Sequence, residues 1–402
     1  MSFLANRLDR IAPSPSLVAL GRARNLIASG KDVCNLTAGE PDFPTPPHII
    51  EAAHAAMLGG ETKYTAVDGT AALKQAISDK FRRENGLAYA LNEITVGAGA
   101  KQVLFNVLTC TVNEGDEVII PAPYWVSYPD IVRFNGGTPV FVLATPEQGY
   151  KISPAQLRRA ITPRTKWLLI NSPSNPTGAV YTEAELKALG RVLAEFPDVH
   201  ILTDDVYEYL VFDGARFTSF AQANPQLAHR TVTVNAVSKS FSMTGWRLGY
   251  AGGPAALIKS IGTLQSQTSG NPSSVTQAAA VAALNGTRAF FGEWLQQYQA
   301  RRDLVVSMLQ NGKGLQCPIP QGAFFVYVSC QGLMGTTTKK GRRIESDEDL
   351  ATHLLEEHLV ATVHGAAYGG SPAIRLSFAA PMQVLEKACR RILLACDELA
   401  TS

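Results

Sequence analysis

The sequence predicts an α/β fold: a large unit with a mostly parallel central sheet, followed by a smaller α+β unit. Three observations carry this. From Ile94 to Gln267, short apolar runs rich in β-branched residues alternate with helical patterns, as strands buried on both faces require. After Gln277 the alternation stops, and a long helical stretch gives way to isolated strand-like runs. With 402 residues, 46% of them hydrophobic, the chain can fill more than one core.

The elements follow in order. Pro13 and Pro15 mark an N-terminal arm, and Leu17, Leu20, Ala23, Leu26 and Ile27 then recur at helical spacing until Gly30. LTAGEPDFPTPP (36–47) holds too many prolines for a regular element and reads as a loop. Helices are expected at His48–Leu58 and Thr70–Asn85, the second with Ala72, Leu73, Ala76, Ile77 and Phe81 on one face. Strands are expected at Ile94–Val96, Glu117–Ile120, Pro139–Val142, Trp167–Ile170, Ile201–Thr203 and Thr231–Val234. Helices between them include Lys101–Leu108, Glu183–Glu195 and Pro254–Gln267. One long helical stretch, Val275–Leu309, precedes a strand-like Gly322–Val328. A helix at Asp347–His358, a strand at Ala373–Phe378 and a closing helix at Gln383–Ala400 complete the chain. The expected division is an arm and helix (1–45) returning to the smaller domain, a large domain (46–285) and a small C-terminal domain (286–402).

Composition narrows the function. A formal net charge of +2 is nearly balanced, and GTTTKKGRR (335–343) reads as a solvated hairpin or loop, so no nucleic-acid partner is expected. The N-terminus lacks the apolar core and cleavage site of a secretory signal, and no apolar run approaches a membrane span. Six cysteines without a CxxC pair read as reduced thiols of a cytoplasmic protein. His353 and His358, five residues apart, do not make a zinc motif, and no metal is expected.

The chemistry concentrates in NAVSKSFSMTGWRLGY (235–250). Lys239 lies among Ser238, Ser240, Met243, Gly245 and Trp246, with no acid nearby in sequence. Desolvation there disfavours the ammonium and frees the amine as a nucleophile toward a carbonyl. Arg247, eight residues on, offers a planar fork suited to phosphate. An amine nucleophile beside a phosphate clamp points to an aldehyde cofactor that carries a phosphate, pyridoxal 5'-phosphate.

The SK-x-x-x-MTGWR-x-GY pattern resembles the lysine segment of class I aminotransferases of the aspartate aminotransferase fold type, the fold type I pyridoxal-phosphate enzymes. The resemblance extends from about Thr37 to about Phe378. It implies that Lys239 holds the cofactor's aldehyde, that Arg247 binds its phosphate and that Ser238 also binds the cofactor.

Other motifs gain meaning beside it. GAGAKQ (97–102) follows a strand and opens a helix, a geometry that favours an anion. Gln102 stands where a Rossmann loop needs its third glycine. The resemblance assigns the backbone N–H groups of Gly99, Ala100 and Lys101 to the cofactor phosphate, and the Lys101 side chain, in one bacterial branch, to the distal carboxylate of a dicarboxylic substrate. In PAPYWVSYP, Trp125 matches the aromatic that stacks on the cofactor ring, while Tyr124 and Tyr128 are expected only to pack. NSPSNPTG (171–178) matches a PxNPTG segment in which Asn175 meets the cofactor's phenolic oxygen and the substrate carboxylate; Ser174 departs from the asparagine often found there.

ILTDDVYEYL places two acids at a strand's C-terminal end, where α/β sheets bind ligands. Position alone does not separate Asp204 from Asp205. The resemblance selects Asp204 for the pyridine nitrogen and Tyr207 for the phenolic oxygen. It places Tyr64 at the neighbouring subunit's cofactor phosphate, which implies a homodimer with shared sites, and Gly39 on a loop that closes over substrate. Arg375 sits inside a strand-like run, costly for a charge unless it is paired. A bidentate clamp on the substrate α-carboxylate accounts for it.

The expected function is a ping-pong exchange of an amino group between L-aspartate or L-glutamate and 2-oxo acids, with Lys239 moving the α-proton. An aromatic, prephenate or broad-range aminotransferase is the nearest alternative, and a β-lyase on the same fold the next. A lysine in the N-terminal arm assists prephenate turnover in some members of this branch; Ala12 stands at the matching position, which argues against it.

Overall fold

The apolar runs pair into one sheet. The computed structural model describes residues 3–400. Within it, β1 (Ile94–Gly97), β2 (Glu117–Ala122), β3 (Thr138–Leu143), β4 (Thr165–Asn171), β5 (His200–Asp204), β6 (Thr231–Ala236) and β7 (Gly249–Gly252) lie in the order β1-β7-β6-β5-β4-β2-β3. The five strands from β6 to β3 run parallel, and β7 is antiparallel to both of its neighbours. The fold class is as the alternation predicts. Residues such as Val118, Ile119, Leu168, Leu202 and Val232 are fully buried because helices cover both faces.

The sequence does not reveal β7. GYAG has no β-branched residue and two glycines, so its strand propensity is poor. Close approach explains the glycines. A Cβ on Gly249 would lie 2.2 Å from the Ala100 backbone nitrogen, and one on Gly252 would lie 2.4 Å from the Tyr89 ring.

The helical stretches also differ in detail. Thr70 caps the helix Ala71–Lys80 by accepting the Leu73 N–H at 3.3 Å, and the chain continues as a π-turn over Phe81–Asn85. Val275–Leu309 is two helices, Ser274–Asn285 and Ala289–Leu309. The break falls at Gly286, where a Cβ would come within 2.7 Å of His48 Nε2.

A second layer forms around β8 (Phe325–Ser329), β9 (Val363–His364) and β10 (Ala373–Ser377), antiparallel in the order β9-β10-β8. Phe324, Val326, Leu354, Ile374, Leu376 and Ile392 fill its core, closed by the helices Asp347–His358 and Met382–Ala400. The N-terminal segment returns here. Cys34–Asn35 pairs in parallel with Val360–Ala361, and Ala23 of the helix Pro15–Ala28 packs with Leu355 and Ala361. The basic stretch makes an antiparallel bridge between Thr337 and Arg343, a hairpin.

Asp347, 1% exposed, ties this layer together: its Oδ2 accepts the N–H groups of Ala366 at 3.1 Å and Ala373 at 3.0 Å. Asp347→Ala leaves the buried Ala373 N–H without a partner and removes the part-buried bond from Ala366. The expected loss of unfolding free energy is about 2 kcal/mol, read as a lower urea midpoint at unchanged slope.

Candidate active site

The three central parallel strands end in register. Asn171 of β4 lies beside Asp204 of β5, and Asp204 beside Val234 of β6. The segments that leave these ends therefore share one space, at the carboxyl edge where α/β sheets hold ligands. Asn175 lies in the turn after β4, and Tyr207 three residues beyond the end of β5. Lys239 sits on the single turn Val237–Ser240 that follows β6. The helix Ala100–Thr111 points its N-terminus at the same space, with N–H groups that lack intrahelical partners. Arg375 enters from the middle of β10.

Together they line a cavity of about 310 Å³. Gly39, Ala100, Lys101, Trp125 and Asn175 are on its wall, as are Asp204, Tyr207, Ser238, Lys239, Arg247 and Arg375. Two predicted residues are not. Gly99 lies just behind, with φ 91°, and a Cβ there would be 2.6 Å from Arg247 Nη2. Tyr64 is 98% exposed and stands outside the cavity.

Burial sets the electrostatics. It pulls the Lys239 amine down to about 8; Glu40 and Asp204 oppose the shift, while Arg247 and Arg375 add to it. Lys239 Nζ donates to the Gly39 carbonyl at 2.6 Å. Burial pushes the Asp204 carboxyl up to about 6, against a hydrogen bond from Tyr128. The neighbouring Asp205 points away from the cavity, and burial beside Glu208 and Asp204 raises it well above the carboxylate range. The geometry thus separates two acids that the sequence alone leaves equivalent.

The arginines are held differently. Arg375, 2% exposed, donates to Asn175 Oδ1 at 3.1 Å and to the Thr37 carbonyl at 2.6 Å, and stacks over Phe325 at 4.4 Å. Its Nε has no partner. Arg247 adopts a left-handed φ of 56° and donates to the Thr244 carbonyl at 2.9 Å. For a residue with a Cβ that backbone costs about 1 kcal/mol. Lys101, still open to solvent, lies 4.9 Å above the Trp125 ring, and desolvation together with Arg247 lowers its pKa. Four cations thus face one carboxylate, an arrangement that calls for anionic ligands.

Some lining residues escape sequence reasoning. Ser14, Ser16, Leu17 and Leu20 reach the cavity from the N-terminal helix, positioned by packing far along the chain. Asn171 donates to the Asp204 carbonyl at 2.7 Å and accepts the Asn175 N–H at 2.8 Å. Tyr128 packs as expected, and its hydroxyl also donates to Asp204 Oδ2 at 2.7 Å. The NSPSNPTG motif held a signal for Asn171; nothing separates Tyr128 from an ordinary core aromatic.

The family model for aminotransferase class I and II matches residues 31–392. The chain belongs to that aminotransferase family. An aspartate/prephenate aminotransferase of Cereibacter sphaeroides is 54% identical over 400 residues, covering 100% of each chain. The crystal structure of the aspartate aminotransferase from Rhizobium meliloti superposes with a TM-score of 0.96 at 50% identity, over 99% of this chain and 100% of that one. The Thermus thermophilus aspartate aminotransferase with maleate gives 0.92 at 40% identity, over 98% and 100%. As an enzyme of this class, the aminotransferase uses pyridoxal 5'-phosphate and acts on amino acids and 2-oxo acids. The cavity fits that cofactor. Asp204 Oδ1 is buried without a hydrogen-bond partner, and a side chain at Gly249 would collide with the helix N-terminus beside Arg247.

Lys239 makes a direct prediction. In the ligand-free protein, modification by an amine reagent should rise with a midpoint near pH 8 instead of the ordinary 10.5, and the fast phase should vanish in Lys239→Ala. The linkage has a definite sign. Below about pH 8 the buried ammonium opposes folding; the unfolded chain binds more protons between about 8 and 10.5, so this group's contribution to stability improves as pH rises through that window.

Proposed function

We propose that this aminotransferase exchanges the amino group of L-aspartate or L-glutamate with 2-oxo acids, using 1–45 and 286–402 as one flank of a site carried by 46–285. The observation that supports a dicarboxylic substrate is Lys101. Its ammonium lies over Trp125 at the cavity wall, where burial and the neighbouring Arg247 lower its pKa. The Ser14 and Ser16 hydroxyls add polar contacts on the same wall.

Bound in the cavity, pyridoxal 5'-phosphate supplies an electron sink that acidifies the amino acid's α-proton. The roles of the protein groups follow from their chemistry. Lys239, whose amine burial brings down to about 8, would hold the cofactor's aldehyde carbon and, as the free amine, would take and return the α-proton. Asp204 offers Oδ1 to the ring nitrogen and keeps it protonated. Asn175 and Tyr207 donate to the phenolic oxygen, and Trp125 stacks on the ring. The Gly99, Ala100 and Lys101 N–H groups, Ser238 and Arg247 hold the phosphate. Arg375 clamps the α-carboxylate and so aims the α-proton at Lys239. The Gly39 loop covers the site and excludes water.

We place Tyr64 at a partner subunit's phosphate site. It stands fully in solvent, and Met57 and Leu58, which precede it closely in the chain, are exposed on the helix Pro47–Leu58. Mixing Lys239→Ala with Tyr64→Ala protomers should restore activity that neither homodimer has, because one hybrid site carries both residues.

Prephenate is the second reading. The 54% identical relative carries that substrate in its name, and Leu17 and Leu20 give the cavity an apolar flank.

The deciding experiment adds L-aspartate, without any 2-oxo acid, to the cofactor-loaded enzyme. Loss of the visible cofactor band with stoichiometric oxaloacetate supports the proposal. A band unmoved by aspartate but lost with phenylalanine removes the dicarboxylate assignment, and ammonia with pyruvate from a β-substituted amino acid reveals a lyase. Lys101→Ala should lower kcat/KM for aspartate about 30-fold, the worth of one charge-assisted contact, and leave alanine turnover within about twofold.

A further inference from the structure

Tyr128 is 1% exposed and meets Trp125 edge-on, with ring centroids 5.2 Å apart at 77°. Phenylalanine would fill that volume without a polar atom to bury. A phenol has one proton to donate, and here it goes to Asp204 Oδ2 at 2.7 Å. Asp204 is anchored a second time through its backbone, where Asn171 Nδ2 donates to the carbonyl at 2.7 Å. Of the carboxylate's two oxygens, one is thus engaged inside the fold. The other, Oδ1, is buried without a hydrogen-bond partner, on a residue that lines the cavity.

We propose that Tyr128 is a positioning residue: its hydroxyl fixes Asp204 Oδ2 and leaves Oδ1 as the single acceptor presented to the cofactor's ring nitrogen. The inference rests on the role proposed above for Asp204. It has an electrostatic consequence. Donation to the carboxylate favours its ionised form and opposes the upward pull of burial. Without the hydroxyl, Asp204 becomes the stronger base, the shared proton moves from the ring nitrogen toward the carboxylate, and the ring loses its positive charge.

The test compares Tyr128→Phe with wild type, Asp204→Asn and Tyr124→Phe, each as the cofactor-loaded enzyme. Tyr124 stacks on Phe141 at 4.9 Å, which makes it a control for lost hydroxyls near the site. A fifth protein carries 3-fluorotyrosine at position 128, a more acidic and stronger donor. The readouts are the cofactor dissociation constant, the pH midpoint of the cofactor's absorbance band, and kcat against KM for L-aspartate. Tyr128→Phe should weaken cofactor binding about tenfold and lower kcat about tenfold with KM little changed, as expected for one lost hydrogen bond to a charged group. Its absorbance midpoint should rise, and that of the fluorotyrosine enzyme should fall. Opposite displacements cannot arise from packing alone. If the midpoint moves in Asp204→Asn but not in Tyr128→Phe, or moves equally in Tyr124→Phe, the positioning role is wrong and the site assignment stands. If Asp204→Asn itself leaves the midpoint in place, the assignment of Asp204 fails and this inference fails with it.

Discussion

The active site depends on the parallel pairing of β4, β5 and β6. Parallel strands in register end together, so the segments that leave them converge. A polar turn carrying Asn175, an acid at the last strand position and a one-turn helix carrying Lys239 are brought together by the backbone hydrogen bonds of the sheet, with the Asn171 side chain tying the turn to the Asp204 carbonyl. Those bonds are buried on both faces by large apolar clusters. The chemistry thus rests on the most protected part of the molecule. The antiparallel β7 extends the same logic. Its Gly249 lets the Ala100 helix approach closely enough for a helix N-terminus and Arg247 to face one anion.

A second constraint joins the two layers. Arg375 is nearly buried, and a buried guanidinium needs partners. Its partners come from elsewhere in the chain: the Thr37 carbonyl on the N-terminal loop and the Asn175 side chain beyond β4. The same loop carries Gly39, which contacts Lys239, and Asp42, whose carboxylate pairs with Arg301 at 2.7 Å. One irregular segment therefore touches the sheet edge, the small layer and Lys239. Its prolines suit that task, since a loop preset by Pro41, Pro44, Pro46 and Pro47 loses less conformational freedom when it is ordered.

Much of this was legible because the site residues sit in improbable company. A lysine between serines, an arginine inside a strand and two acids at a strand end each carry a cost that function explains. The parallel sheet was legible from its β-branched runs. The parts that stayed hidden share a physical cause, dependence on a distant partner. The glycines of β7 acquire meaning only against Ala100 and Tyr89, and the break at Gly286 only against His48. Ser14 and Ser16 reach the cavity because Ala23 packs on the C-terminal layer. The hydrogen bond of Tyr128 stays hidden because packing and donation make the same residue choice, and sequence records only the choice.

The surplus of positive charge then becomes intelligible. Lys101, Lys239, Arg247 and Arg375 surround a space whose one facing carboxyl is itself pushed toward neutrality. Such a cluster opposes folding in the absence of ligand, through the same repulsion and desolvation that depress Lys239. Its members are nevertheless not interchangeable. Arg375 is buried and fixed by two hydrogen bonds, so it offers a rigid fork; Lys101 is open to solvent on a flexible four-carbon stem, which suits a group whose position varies between substrates. Lys239, brought down to about 8 by burial, can give up a proton that a guanidinium keeps. Neighbouring cations make that easier, and the anionic ligands they attract would reverse it. The amine's basicity is therefore coupled to occupancy of the anion sites around it, and under the roles proposed above that coupling would let one lysine serve as nucleophile and then as base within a single cavity.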